Sequence, residues 1–406
     1  MLAKNIELDN DFEHEKFIRE SKEWSYAIYF LKMFGLFEVN GENELTTKAR
    51  KCGYQKGIYY IWFSVSSYIV AFYIFSSFNM NNVADFSLEV VHNINLSWII
   101  FLSFVLRSMV RKLLKAVCQV DRLRKYVGIK CTNKCSKTFY LLLVISTFIL
   151  LAINIYRTFS RRNNNYVLSA TFGLTGDGEF LSQSQRKALT ITAKILMSTA
   201  YVFFDIIPSL SAIIIYLAQK ENYRLIYACN LMVRSTIRTE ITTRKLTKII
   251  DRYSTITDAV KEVNDVLSSM IFLMCGFLLV SVCYSLSVMM KVKKEDVFRL
   301  LAYALCIAMY TCELIIVINS PVKAGKEMEE VKKRLSLRIE LESSQKSESL
   351  TAANLLLVQS SFKRFIQDIA VVPMGMFKLE KKLFLSIIGL IVTYEIIILQ
   401  FNSANL

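Results

Sequence analysis

Proline occurs three times and glycine twelve times in 406 residues, so the chain is poor in residues that end helices or build turns. No Gly/Ser linker or internal repeat divides it, and it reads as one domain. Histidine occurs only twice. His14 lies in a charged leader and His92 at the mouth of an apolar stretch, too far apart in sequence to form a local catalytic or metal-binding pair. GxGxxG, Walker A, HExxH and GxSxG patterns are all missing. The glycine-rich tract at 173–178 lacks the Lys-Ser/Thr of a phosphate loop and reads as part of a flexible loop. Cys131 and Cys135 offer two thiolates with no nearby third ligand, short of a structural zinc site. None of the nine cysteines falls in a segment assigned below to the outside, which argues against an extracellular disulfide. These absences disfavour an enzyme, a metal centre and a bound cofactor.

Apolar length is what the chain has in quantity. Hydrophobic residues make up 53%, the mean hydropathy is +0.36, and 21% of residues are charged. Disorder is excluded by the apolar content. A positive mean beside so much charge implies long apolar blocks separated by charged ones, and disfavours a soluble enzyme. A helix crossing a bilayer needs roughly 20 mostly apolar residues. Seven stretches approach this: 57–78, 91–106, 138–156, 195–218, 266–290, 298–319 and 383–401. The expected fold class is all-α, a polytopic membrane protein with seven transmembrane helices. Residues 1–22 carry many charges and no apolar core, so they do not read as a cleavable signal.

The formal charge of +16 would suggest nucleic acid in a soluble protein, but in a membrane protein basic residues mark cytoplasmic loops. With the N-terminus inside, 40 of the 50 Lys and Arg fall in the inside segments 1–56, 107–137, 219–263 and 320–382. The outside segments hold nine; residues 79–90 have none, whereas 107–137 have ten. The expected organisation is a cytoplasmic leader at 1–56, a seven-helix domain at 57–401 with cytoplasmic helical segments at 219–263 and 320–382, and an extracellular tail at 402–406. Nucleic acid is not an expected partner; membrane lipid is. A cytoplasmic N-terminus opposes a G-protein-coupled receptor, although Asp251-Arg252-Tyr253 spells that family's DRY tripeptide. Here the tripeptide lies some thirty residues past the fourth span.

Within 219–263, Ile237, Ile241, Ile249 and Ile256 repeat at helical spacing. In 351–370, Leu355, Val358, Phe362, Phe365 and Ile369 form an apolar stripe. The expected arrangement is that spans four to six extend beyond the bilayer and pack with this last helix, with a membrane-surface helix as the competing reading. Inside the spans, ionisable groups call for a cavity or a partner. Asp205 lies about 15 Å into the fourth span, followed by Pro208. Trp98, Tyr201, Tyr284 and Tyr303 stand at similar outer depth, and with Asp205 they are the candidate lining of a small-molecule pocket. Glu313, closer to the inner face, is expected to form a structural salt bridge.

The last span ends Thr393-Tyr394-Glu395-Ile396-Ile397-Ile398-Leu399-Gln400-Phe401. This resembles the insect gustatory receptor signature, Thr-Tyr, five mostly hydrophobic residues, then Gln-Phe, in the seventh helix. Phe34-Gly35-Leu36-Phe37 resembles the family's opening. Glu395 departs from the pattern as an acid at a usually hydrophobic position; some sugar-sensing members are similar there. The resemblance implies a ligand-gated cation channel of four subunits, homo- or heteromeric, in the plasma membrane of chemosensory neurons. The last helix of each subunit would line a central pore, and a small tastant, with sugars favoured over bitter compounds, would open it. Carried over position by position, Gln400, Phe401 and Ile397 are the pore and gate candidates, while Thr393 and Tyr394 pack the helix against its neighbours. A G-protein-coupled chemoreceptor and a helical membrane transporter are the alternatives.

Overall fold

The computed structural model describes residues 17, 21–37, 57–71, 83–127, 145, 148, 152, 183–237, 242–291, 297–343 and 348–403. Every regular element among them is helical: α1 (Lys22–Met33), α2 (Gly57–Ala71), α3 (Val83–Val127), α4 (Gln183–Ile237), α5 (Thr243–Lys291), α6 (Val297–Ser343), α7 (Glu348–Asp368), a 3-10 turn (Pro373–Gly375) and α8 (Lys381–Ser403). Among the described residues, α3 to α6 are long and apolar enough to cross a membrane, and α2 and α8 carry shorter apolar stretches. Of the third expected span only Ile145, Phe148 and Ala152 are described, all helical and exposed.

The four long helices run 45 to 55 residues. At about 1.5 Å per residue each exceeds 65 Å, more than twice the roughly 30 Å of a hydrocarbon core. Their surplus length forms a second packed layer outside the bilayer. The helices pack as α3 on α5 and α4, α4 on α6, and α5 on α6, with α7 laid against α6 and α5. The stripe on α7 is what seats it: Val358, Phe362, Phe365 and Ile369 are all buried. The surface-helix reading is thereby set aside in favour of packing against the extended spans.

The inside segment between the fourth and fifth expected spans holds the turn between two helices. The continuous periodicity through 219–263 does not make one helix, because α4 ends at Ile237 and α5 begins at Thr243. The chain must reverse there to send α5 back alongside α4. Thr242 supports the restart, its hydroxyl oxygen accepting the Lys245 N–H at 3.3 Å, as a residue flanking a helix start does. Ile241 lies outside the described residues.

Buried polar residues lock this outer layer. The Asn264 carboxamide accepts from Gln219 at 2.9 Å and from Asn222 at 3.2 Å, and donates to the Ile369 carbonyl at 2.9 Å. Asn230 donates to the Glu327 carboxylate at 2.9 Å and accepts from the Tyr253 hydroxyl at 2.6 Å. Glu221, almost fully buried, is held by Arg124 and Arg224, and Lys220 pairs with Glu23 of α1. Desolvated groups of this kind persist only where their partners are supplied. α1 itself stops at Gly35, whose φ of 68° a side chain would resist. The Leu36 N–H then returns to the Leu31 carbonyl at 2.8 Å, and Leu36 is buried. That is the local meaning of Phe34-Gly35-Leu36-Phe37.

Candidate ligand site and pore helix

In the membrane half, polar side chains from α3, α4, α5 and α6 converge. Asn95 of α3 and Ser281 of α5, both buried, exchange hydrogen bonds at 2.9 and 3.2 Å. One turn nearer the helix start, His92 stacks on Tyr284 with centroids 5.0 Å apart. Trp98, one turn the other way, lies against Gly276. A Cβ on that glycine would stand 2.4 Å from the indole Cζ2, so only glycine admits the ring. The α4–α6 side centres on Tyr310. Asp205, Glu313 and Tyr284 all lie within electrostatic reach of it, and Phe277 meets its ring edge-on at 5.8 Å. Glu313 is buried and its Oε1 accepts from the Ser209 hydroxyl at 2.8 Å.

Of the five residues proposed from sequence, Asp205 and Tyr284 both lie within electrostatic reach of Tyr310. Trp98 is on the same α3–α5 seam, about two turns from Tyr284 along α5. Tyr303 is half-buried two turns before Tyr310 on α6. Tyr201 is helical one turn before Asp205, and its side chain lies outside the described residues. Glu313 is a correction: its hydrogen-bond partner among the described residues is a serine hydroxyl and not a cation, because α4 brings Ser209 to it there and no Lys or Arg. Tyr310 itself was missed. The signal was there, since Tyr303, Tyr310 and Glu313 follow at steps of seven and three, one face of a helix. Together the cluster offers carboxylate acceptors, phenol and serine hydroxyls, an imidazole and flat apolar rings, a set suited to binding a small polar molecule.

α8 stands apart. Among the described residues it packs on α5 and α6. Leu383, Ile387, Ile391 and Tyr394, at steps of four and three, make its half-buried side. Most of the rest is apolar and exposed, including Leu385, Ile388, Leu390, Val392 and Ile396. Thr393, Ile397 and Gln400 share this open side, and the Thr393 hydroxyl donates to the Gly389 carbonyl at 2.9 Å. The backbone of Phe401 continues the helix; its side chain, like that of Glu395, lies outside the described residues.

A family profile described as 7tm Chemosensory receptor matches residues 25–405. The chain belongs to this family. No curated protein matches the receptor, but solved structures do. The insect olfactory receptor OR5 from Machilis hrabei in complex with eugenol is similar at a TM-score of 0.66 and 12% identity, over 97% of this chain and 100% of that one. A further structure of OR5 gives a TM-score of 0.59 at 13% identity with the same coverage. At such identity the likeness establishes the fold: the receptor is an all-helical, multi-pass membrane protein. Its DRY tripeptide lies within α5, where Tyr253 is fully buried, bonded to Asn230 and 5.1 Å from the Phe362 ring. It is a packing element of the layer outside the membrane half.

Proposed function

We propose that the receptor is a ligand-gated, cation-conducting channel of taste, opened by a small tastant bound at the Asp205/Tyr284/Tyr310 cluster. The observation that carries this reading is α8. A helix with so wide an apolar face, laid against two neighbours, is stable in one subunit only if lipid or other copies cover the rest. Four α8 helices around an axis would bury part of that face on each other and turn Gln400, Phe401 and Ile397 toward a central passage. A ring of apolar side chains there closes the passage by excluding water, and splaying of the helices opens it. Packing of α8 on α5 and α6, which also line the cluster, gives a route by which ligand preference for one arrangement biases the other.

A sugar is the tastant class favoured. Glu395 supports it by resemblance to sugar-sensing members, and the cluster supports it by chemistry: carboxylates accept from sugar hydroxyls, and rings cover the C–H faces. On this reading the N-terminus and the 107–137 and 219–263 segments are cytoplasmic, and the protein works in the plasma membrane of chemosensory neurons, alone or with related subunits. The test is whole-cell recording of sugar responses in Glu313→Gln and Tyr310→Phe variants beside an α8 variant, Gln400→Ala. The cluster variants should raise the half-maximal sugar concentration about 10-fold or more, as loss of a hydrogen bond to a charged group does, with basal current unchanged. Gln400→Ala should change basal current or ion preference instead. Identical dose-response curves for all three would remove the site from this place.

A further inference from the structure

Pro208 stands inside α4, and the helix continues past it. Proline has no N–H to give, so the carbonyl four residues back, that of Phe204, loses its helical hydrogen bond. Phe204 is buried, and a buried carbonyl released in this way calls for another partner. Ser209, next to the proline, is buried too, and its hydroxyl donates to Glu313 Oε1 of α6 at 2.8 Å. Asp205 lies one turn before Ser209 on the same face, close enough for its charge to act on Glu313.

Glu313 is the least compensated of these groups. It is 1% exposed, yet its second oxygen, Oε2, has no hydrogen-bond partner. Among the described residues it forms no ion pair, and its one hydrogen bond comes from a neutral hydroxyl. An ionised carboxylate inside a span is costly unless a positive charge meets it. Asp205 adds negative charge and so raises that cost. A bound cation would remove it.

The ligand atoms say which cation fits. Carboxylate, hydroxyl and carbonyl oxygens suit hard metal ions, and carbonyls released where a membrane helix is interrupted are sodium ligands in transporter folds. A divalent ion asks for more: Ca2+ takes about six to eight oxygens. Among the described residues no group of three His, Cys, Asp or Glu side chains is placed to hold a metal. A singly charged ion needs only one carboxylate to neutralise it.

We propose that Glu313 and Ser209, with the Phe204 carbonyl, hold a sodium ion between α4 and α6 in the membrane half. Ser209 keeps its proton on Oε1 and offers the ion a lone pair. Asp205 favours the ion through its charge without having to touch it. Because the ligands come from two helices, the ion stabilises the arrangement in which α4 and α6 are packed. Glu313 is shared with the tastant site proposed above. No tastant is needed for the ion to bind, and none is present in the test, so failure of one reading leaves the other standing.

The test is thermal unfolding of the purified full-length receptor in detergent, in chloride salts of Na+, K+ or N-methyl-D-glucamine at an ionic strength of about 0.15 M. Na+ should raise the Tm by about 2 °C or more over the bulky organic cation, and K+ should raise it less. Glu313→Gln, a neutral isostere, should lose the Na+ effect. Ser209→Ala keeps the carboxylate and should need about 5-fold more Na+ for the same rise. Asp258→Asn, which removes an exposed carboxylate of α5, should respond as wild type does. If Glu313→Gln does not fold, saturable retention of radioactive Na+ by wild type, weakened in Ser209→Ala, supports the site, and no retention by wild type overturns it. Equal wild-type Tm in all three salts overturns the proposal, as does a full Na+ effect in Glu313→Gln. A wild-type Tm that follows pH and ignores the salt also overturns it, since a proton would then neutralise the carboxylate.

Discussion

Gly276 is the residue at which the membrane half of the receptor is most tightly specified. Its missing side chain is occupied by the Trp98 indole, and a Cβ at 2.4 Å has nowhere to go because the ring is rigid. Gly276→Ala should therefore destabilise the receptor by about 1–3 kcal/mol, read as a lower Tm in detergent. Trp98→Leu in the same chain should recover part of the loss, since contacting residues are not additive. Equal melting of wild type and Gly276→Ala would contradict the contact. A second residue-scale test concerns Cys229, next to the Tyr253–Asn230 pair in the layer outside the spans. Burial pushes its thiol up to about 11, with the Tyr253 hydroxyl opposing this weakly. At neutral pH it stays protonated and shielded, so maleimide should fail to label it until the protein is unfolded. Rapid labelling of native protein would show that α4 and α5 part there.

At the scale of elements, the connection from α7 to α8 is the part through which the extended layer meets α8. The Leu379 N–H bonds the Val371 carbonyl at 3.0 Å, and the Met374 N–H donates to the Ser268 hydroxyl oxygen at 2.7 Å. Met374 is held at φ 49°, ψ 25°, a left-handed conformation that a non-glycine residue adopts at a cost of about 1–2 kcal/mol. Its side chain is exposed, so packing does not explain the methionine. Met374→Asn, which tolerates that conformation, should stabilise the receptor by about 0.5–1 kcal/mol in thermal unfolding; a lower Tm would mean the side chain contributes more than its backbone costs. Asn264 ties α4, α5 and the end of α7 at one point, and Asn264→Leu leaves the Gln219, Asn222 and Ile369 groups without that partner. A loss of roughly 2–4 kcal/mol is expected, and unchanged stability would show that water replaces it. The α7 stripe was legible in the sequence because amphipathic spacing survives without knowledge of the partner helix. That the chain reverses between spans four and five followed from their alternation, but the place of the α4–α5 break did not, because the apolar period runs through it. Nor was the Asn264 hub legible, since a single asparagine carries no periodic signal.

At the scale of the molecule, the even mixture of grease and charge resolves into two layers. Six of the seven spans expected from composition coincide with described helices, and the third lies almost wholly outside them. Surplus helix length builds the second layer; amphipathic spacing gave it for spans four to six, and α3, which holds the second span, adds to it. The candidate ligand site was half legible: charges and aromatics inside spans named Asp205 and Tyr284, but only the packing of α4 on α6 brings Glu313, Ser209 and Tyr310 to them. The sidedness is a separate claim, and tags at the two ends test it in unpermeabilised cells. The N-terminal tag should be hidden and the C-terminal tag accessible; the reverse would place the basic segments outside. The most direct test of the channel itself is recording of sugar-evoked current from cells expressing Gln400→Cys, with G-protein signalling blocked and a charged thiol reagent applied outside. The account predicts that the current persists under the block and that the reagent changes its amplitude in the variant and not in wild type. A current abolished by the G-protein block, or one the reagent leaves unaltered in the variant, would contradict a pore lined by α8.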